Sequence, residues 1–157
     1  MSPSELTIKE IEDALQFLGD WEQRYEFLIE IGERLPALAA TYKTEENLGQ
    51  GCMSKVWLIA KRVETPPATL RLYGDSENSM VKGLVAMLIA IYSGQTPQRI
   101  WIIGADEIFA NLGLYDHLSP TRHVGVYAMV EKIKSLARSH IHTPGKSKVL
   151  PKFPAHP

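Results

Sequence analysis

The chain carries a single thiol, Cys52, in the stretch Gly49-Gln50-Gly51-Cys52-Met53-Ser54-Lys55-Val56-Trp57. One cysteine excludes an internal disulfide and a Cys-rich zinc site. A lone thiol is either a small buried hydrophobe or a reactive group. Its neighbours favour reactivity. Gly49 and Gly51 permit backbone conformations closed to other residues, and an alternating strand pattern starts just after Ser54. Cys52 is therefore expected at a loop tip or strand entrance, where scaffolds present functional groups, and not inside an element where a structural Cys replaces Val or Ala. A thiolate attacks sulfur far more readily than a thiol does. Accepting a sulfane sulfur from a donor persulfide needs one such thiolate. A second cysteine nearby would resolve the new persulfide into a disulfide. The cysteine count thus suits a sulfur relay and opposes a thioredoxin-type mechanism, which needs Cys-x-x-Cys.

The histidines add little to this chemistry. A thiol hydrolase or peroxidase needs a base bonded to the thiol. His117 and His123 are the candidates, but their spacing does not bring them to Cys52, and they read as solvated loop residues. His140 and His142 lie two apart with no third ligand near, short of a zinc set. A cluster-building scaffold would need several Cys or His ligands.

With 157 residues and 45% hydrophobic composition, the chain fits one domain with a real core. Seventeen basic against eighteen acidic side chains leave a formal charge of -1. No bulk field therefore calls for nucleic acid or an anionic membrane. There is no apolar run of about 18 residues to span a bilayer. Met1-Ser2-Pro3-Ser4-Glu5 lacks the basic and apolar regions of a secretory signal. A cytoplasmic location, with no membrane and no nucleic-acid partner, is expected.

The elements that must position Cys52 follow from period and punctuation. Thr7 and Glu10 form a capping box ahead of Ile8, Ile11, Leu15 and Leu18. Asp20 caps a second helix whose stripe is Trp21, Tyr25, Leu28, Gly32 and Leu35, stopped by Pro36; Trp21 and Tyr25 read as core. Residues 37–54 read as a loop passing into an extended piece. Val56, Leu58 and Ala60 alternate with Trp57, Ile59 and Lys61 as a strand. Pro66-Pro67 breaks the pattern, and Leu70 and Leu72 resume it as an antiparallel partner. Asp75 or Ser76 is expected to cap an apolar helix over about 78–92, the most buried one. Thr96-Pro97 opens a short helix, residues 106–112 form another stopped by Gly113, and Ser119-Pro120 opens a long helix to about Ser139. The domain is expected to cover 1–139. The tail, 140–157, is proline-rich with no acidic residue and reads as disordered. Helices, then a small antiparallel sheet, then helices define an α+β class.

Gly51-Cys52-x-Ser54-x-Val56-Trp57 resembles the signature of the SufE and CsdE sulfur acceptors. The resemblance extends over about residues 15–138. It takes in Asp20-Trp21-Glu22-x-Arg24-Tyr25, Thr44-Glu45-Glu46-Asn47, Asp75-Ser76, Val81-Lys82-Gly83-Leu84 and Leu118-Ser119-Pro120-Thr121-Arg122. It implies a three-stranded antiparallel sheet packed by helices, as in the IscU scaffolds. It implies a role as well: Cys52 accepts persulfide sulfur from a cysteine desulfurase of the SufS or CsdA kind, stimulates it, and passes the sulfur to iron–sulfur assembly on a SufBCD-type scaffold. The pyridoxal phosphate of that reaction belongs to the desulfurase, and this chain needs no cofactor or metal of its own. Gly51, Ser54, Asp75 and Arg122 carry over as partner-binding or loop-supporting residues. The competing reading is a protein-binding module of the same fold with no sulfur transfer.

Overall fold

A computed structural model of the chain describes residues 6–49 and 54–141. Helices α1 (Ile8–Phe17) and α2 (Trp21–Glu33) lead through short 3-10 turns at Ala40–Tyr42 and Glu45–Asn47. Strands β1 (Val56–Val63) and β2 (Thr69–Ser76) follow, then α3 (Ser79–Tyr92), α4 (Pro97–Ile102), α5 (Ala105–Asn111), a 3-10 turn at Tyr115–His117 and α6 (Pro120–Ile141). Among the described residues no helix is long and apolar enough to cross a membrane.

Local sequence sets most boundaries. The Thr7 hydroxyl accepts from the Glu10 N–H while the Glu10 carboxylate accepts from the Thr7 N–H, satisfying two orphan donors at the start of α1. Asp20, Thr96 and Ser119 cap α2, α4 and α6 through the N–H three residues on. Gly94 and Gly113 follow α3 and α5 with φ of 85° and 71°, values that a Cβ disfavours. The end of α4 is closed by a distant residue: the Lys134 ammonium on α6 donates to the carbonyls of Ile100, Trp101 and Ile103.

The strands pair antiparallel in the register Val56↔Ser76, Leu58↔Gly74, Ala60↔Leu72 and Arg62↔Leu70. Directly opposed residues share a face, so Val56, Leu58, Ala60, Leu70 and Leu72 form one apolar surface, all buried. Helix α3 lies on that surface with six consecutive buried residues, Gly83 to Leu88, as expected for the central helix. Its other flank meets α2, where Gly32 and Gly83 let the two backbones touch. Helix α6 covers the strands from another side with Val126, Met129, Ile133 and Leu136 buried.

The structure differs from four expectations. The α+β class holds, but the sheet among the described residues has two strands, not three. The segment before Cys52 curls into the turn Glu45–Asn47, closed by the Asn47 amide donating to the Tyr42 carbonyl. Only Leu48 remains to make a single bridge with Trp57. Asn78, and not Asp75 or Ser76, caps α3 by accepting from the Val81 N–H; the aspartate is still inside β2. Trp21 and Tyr25 are both half-buried; Trp21 packs against the core as expected, while Tyr25 is not part of it. Helix α6 also runs to Ile141, two residues past the expected boundary, with Arg62 of β1 donating to the His140 carbonyl. The tail from residue 142 lies outside the described residues.

Candidate functional site

Cys52 and Gly51 fall in the segment 50–53, outside the described residues. The frame that carries this segment is well defined. On its near side the Gly49 N–H donates to the Val56 carbonyl and Leu48 bridges Trp57. On its far side the Lys55 carbonyl accepts from the Ser76 hydroxyl and from the Glu77 N–H. Gly49 and Lys55 are thus fastened to the strands, and the span between them is tethered at both ends.

Four charged side chains secure the approach to that span. Asp75 is buried, and its carboxylate pairs with Lys43 at 2.9 Å and Lys82 at 3.3 Å. Lys43 precedes the turn leading to Gly49, and Lys82 is on the first turns of α3. Asp75 therefore ties three separate pieces of chain beside the loop. Lys132 of α6 donates to the Glu46 carbonyl at 2.8 Å, holding the same turn from the other side. Burial alone pushes the Asp75 carboxyl up. The hydrogen bonds from Lys43, the Ser76 N–H and Lys82, with the charge of Lys82, outweigh burial and hold the group below its ordinary value of 3.8.

A depressed carboxyl stabilises the fold fully above its unfolded-state value, and the contribution is lost as pH falls through the folded-state value. Asp75→Asn is expected to cost about 1 kcal/mol at pH 7, since both lysines remain partly hydrated. The deficit should shrink as pH drops below 3.8. Urea midpoints of both proteins across this range measure it; a deficit that does not change with pH would assign the cost to packing and not to charge.

Ser54 and Arg122, 68 positions apart in the chain, line one cavity of about 190 Å³. Its apolar lining is Val81 and Leu84 from α3 and Met129 from α6; Ser119, Thr121 and Arg122 bring polar groups from the start of α6. Arg122 is half-buried there. Its main-chain N–H donates to the Ser119 hydroxyl and carbonyl, so the cap bonds do not use the side chain. Asp75 is not among the lining residues, so the structure separates the four carried-over positions. Ser54 and Arg122 share a cavity, Asp75 braces the frame, and Gly51 lies outside the described residues.

The start of α6 is itself positioned by α2. Trp21 stacks on the His117 ring with centroids 3.8 Å apart, the Tyr25 hydroxyl donates to the His117 carbonyl, and Arg24 lies over Trp21 and donates to the Leu18 carbonyl. The Asp20-Trp21-Glu22-x-Arg24-Tyr25 motif thus anchors the turn that precedes Ser119. His123 contacts the Tyr115 carbonyl, so both histidines serve the scaffold and neither lines the cavity. Reading the sequence missed Lys43, Lys82 and Lys132. Only Lys82 left a signal, as the one charge inside an apolar helical run. Among the described residues no group of three or more His, Cys, Asp or Glu could hold a metal ion.

These features define a small α+β protein with a strand hairpin under a central apolar helix and a cavity beside the strand entrance. Residues 9–137 match the SufE family model, described as an Fe-S metabolism associated domain. The chain is 38% identical over 136 residues to a SufE-like protein of Rhizobium meliloti, covering 86% of this chain and 97% of that one. It is 40% identical over 133 residues to a SufE-like protein of Rhizobium etli, covering 84% and 90%. Both relatives are themselves described as uncharacterized. The solution structure of a hypothetical protein from Thermus thermophilus superposes with a TM-score of 0.69 at 18% identity, covering 85% of this chain and 95% of that one; at that identity the likeness shows the fold alone. The chain belongs to the SufE family.

Proposed function

We propose that this protein is a persulfide carrier. It accepts sulfur on Cys52 from a SufS- or CsdA-type cysteine desulfurase, stimulates that enzyme, and delivers the sulfur to iron–sulfur cluster assembly on a SufBCD-type scaffold. The observation that carries this reading is the cavity shared by Ser54 and Arg122. Chain geometry keeps the Cα of Cys52 within about 7 Å of that of Ser54, and Ser54 lines a pocket whose other residues include Val81, Leu84, Met129 and Arg122. An apolar pocket shelters a sulfur nucleophile from water and oxidants, and a nearby cation favours its anionic form. Family membership supports the same reading.

In the transfer step the Cys52 thiolate attacks the outer sulfur of the donor's persulfide. A new S–S bond forms on Cys52, the S–S bond of the donor breaks, and the donor cysteine leaves as a thiolate. No electron acceptor is required. The chain contributes one thiol and its surroundings, while pyridoxal phosphate remains with the desulfurase. Because Gly49 and Lys55 are fastened to the strands, any outward swing of Cys52 toward the donor is confined to the residues between them, with Gly51 as its pivot. The setting is the cytoplasm.

The test combines the protein with a purified SufS-type desulfurase and cysteine, traps persulfides by alkylation and maps them by mass spectrometry. One extra sulfur on Cys52, together with faster alanine release, is expected; both should vanish in Cys52→Ser without loss of folding. No sulfur on Cys52 with several desulfurases would overturn the carrier reading in favour of a protein-binding module of the same fold.

A further inference from the structure

The face of α6 that lines the Ser54 cavity runs on past it. Arg122, Gly125 and Met129 line the cavity. Their spacing puts Lys132, three residues after Met129, in the same row of the helix. From there the Lys132 ammonium donates to the Glu46 carbonyl at 2.8 Å. One helix face therefore meets the chain on both sides of Cys52. Ser54, which shares the cavity with Arg122, follows the cysteine; Glu46, which Lys132 holds, precedes it. Arg122 and Lys132 stand about 15 Å apart along the helix axis.

The local hydrogen bonding explains why Lys132 takes that carbonyl. In a 3-10 turn each N–H donates to the carbonyl three residues back. The Asn47 N–H donates to Thr44 in this way, and the Leu48 N–H to Glu45. The next donor in the series, the Gly49 N–H, would reach Glu46. It turns instead to the Val56 carbonyl on β1, and the Lys132 ammonium takes the place it leaves. Glu46 is thus the point where the chain is handed from turn to strand, and Gly49 has a choice of two carbonyls. With Lys132 on Glu46, Gly49 gains more from Val56. Without Lys132, Gly49 can close one further step of the turn and let go of β1. Lys132 is half-buried. Burial draws its ammonium below the ordinary value of 10.5, against the opposing charge of Glu46. A charge-assisted bond partly withdrawn from water holds better than a fully wetted one. Lys43 secures the same arm through Asp75 at 2.9 Å, but that tie lies ahead of the turn and leaves the choice at Gly49 open.

We infer that Lys132 is a positioning residue for Cys52. By holding the Glu46 carbonyl it keeps Gly49 on β1, and so fixes the near anchor of the span that carries the thiol. Loss of the tie moves that anchor back to Asn47 and lengthens the reach of the span by about 7 Å. In the sulfur transfer proposed above, Lys132 sets how far Cys52 extends toward its donor. That use rests on the carrier reading, whereas the anchor itself is measured on the free chain with no desulfurase present.

The experiment compares the full chain with Lys132→Met, which keeps a long side chain without its donor, and with Lys132→Arg, which restores a donor. Amide hydrogen exchange followed by NMR reads Gly49, and iodoacetamide alkylation reads Cys52. In Lys132→Met the Gly49 amide should exchange about tenfold faster, the equivalent of one lost charge-assisted bond. Cys52 should be alkylated faster by a comparable factor, because opening of the arm governs access to it. A purely electrostatic role predicts the opposite sign, since removing a cation raises a thiol pKa and slows alkylation. Lys132→Arg should return both readings to those of the parent. The amides of Leu84 to Leu88 in α3 should exchange at parent rates, which separates local release from general softening. Unchanged Gly49 exchange, release of the α3 amides along with it, or slower alkylation of Cys52 would each overturn the inference. So would faster Gly49 exchange with unmoved alkylation, since Lys132 would then brace the turn alone. A parent chain that takes no sulfur on Cys52 would strike the carrier reading, and the exchange and alkylation comparison would still decide the role of Lys132.

Discussion

Gly83→Ala should destabilise the fold by about 3 kcal/mol, the upper end for overpacking a close-packed interior. A Cβ at Gly83 would stand 2.2 Å from the Leu28 carbonyl oxygen and 2.7 Å from its carbon. At Gly32 it would stand 2.6 Å from the Gly83 nitrogen. These neighbours are backbone, so no rotamer change relieves the contact. The helices must move apart, and Leu28, Ile31, Leu84 and Met87, all buried, would lose contacts together. The sign is informative because alanine normally outranks glycine inside a helix by about 1 kcal/mol. Among the described residues nothing lies within 4 Å of where a Cβ at Gly125, within α6, would stand, so Gly125→Ala should follow the intrinsic rule and gain up to about 1 kcal/mol. Paired urea denaturation curves of the two variants measure opposite shifts. A neutral Gly83→Ala would mean that α2 and α3 pack further apart than the glycine contact requires.

That pair of glycines also marks where reading the sequence stops. Gly32 fell on the apolar stripe of α2 and Gly83 in the family-like Val81-Lys82-Gly83-Leu84, but nothing in either helix says that they meet. Signals that act over three or four residues were legible: the caps at Thr7, Asp20, Thr96 and Ser119, the stop at Gly113, the alternation that built β1 and β2. Each depends on a hydrogen bond or a face that one segment completes alone. Asp75 was misread as a cap because a carboxylate before an apolar helix satisfies that local rule. Its actual partners, Lys43 and Lys82, are brought together only when the hairpin and α3 have packed. Tyr25 was misread for the same reason, since its spacing marks the α2 stripe but not the turn at His117 that it and Trp21 grip; Trp21 does pack against the core as its spacing indicates. Among the described residues the sheet shows two of the three expected strands, and after the Glu45–Asn47 turn Leu48 makes a single bridge with Trp57. The candidate site was legible as chemistry, through Cys52 and its neighbours, while the cavity joining Ser54 to Arg122 is a tertiary fact.

Arg122→Ala should slow persulfide acceptance by Cys52 at least about tenfold, which corresponds to about 1.4 kcal/mol of lost stabilisation. The argument rests on the carrier function proposed above and on where Arg122 lies. Its side chain lines the cavity at Ser54, whose apolar part is Val81, Leu84 and Met129. In such surroundings a fixed guanidinium interacts with a developing sulfur anion more strongly than it would in water. Before transfer it favours the thiolate; after transfer it favours the persulfide anion. Removing it should therefore do two things at once. The transfer rate should fall, and the pH at which Cys52 becomes half-alkylated by iodoacetamide should move upward, because the thiolate loses its cation. Arg122→Lys keeps a charge but not the planar fork, and should recover part of both effects. The fold should be spared, since the main chain of Arg122 and not its side chain makes the cap bonds with Ser119. A loss of transfer with an unmoved alkylation profile would place Arg122 at the contact with the desulfurase and not at the sulfur. Unchanged transfer and an unchanged profile would reduce it to a surface charge and leave the apolar walls as all that the cavity contributes.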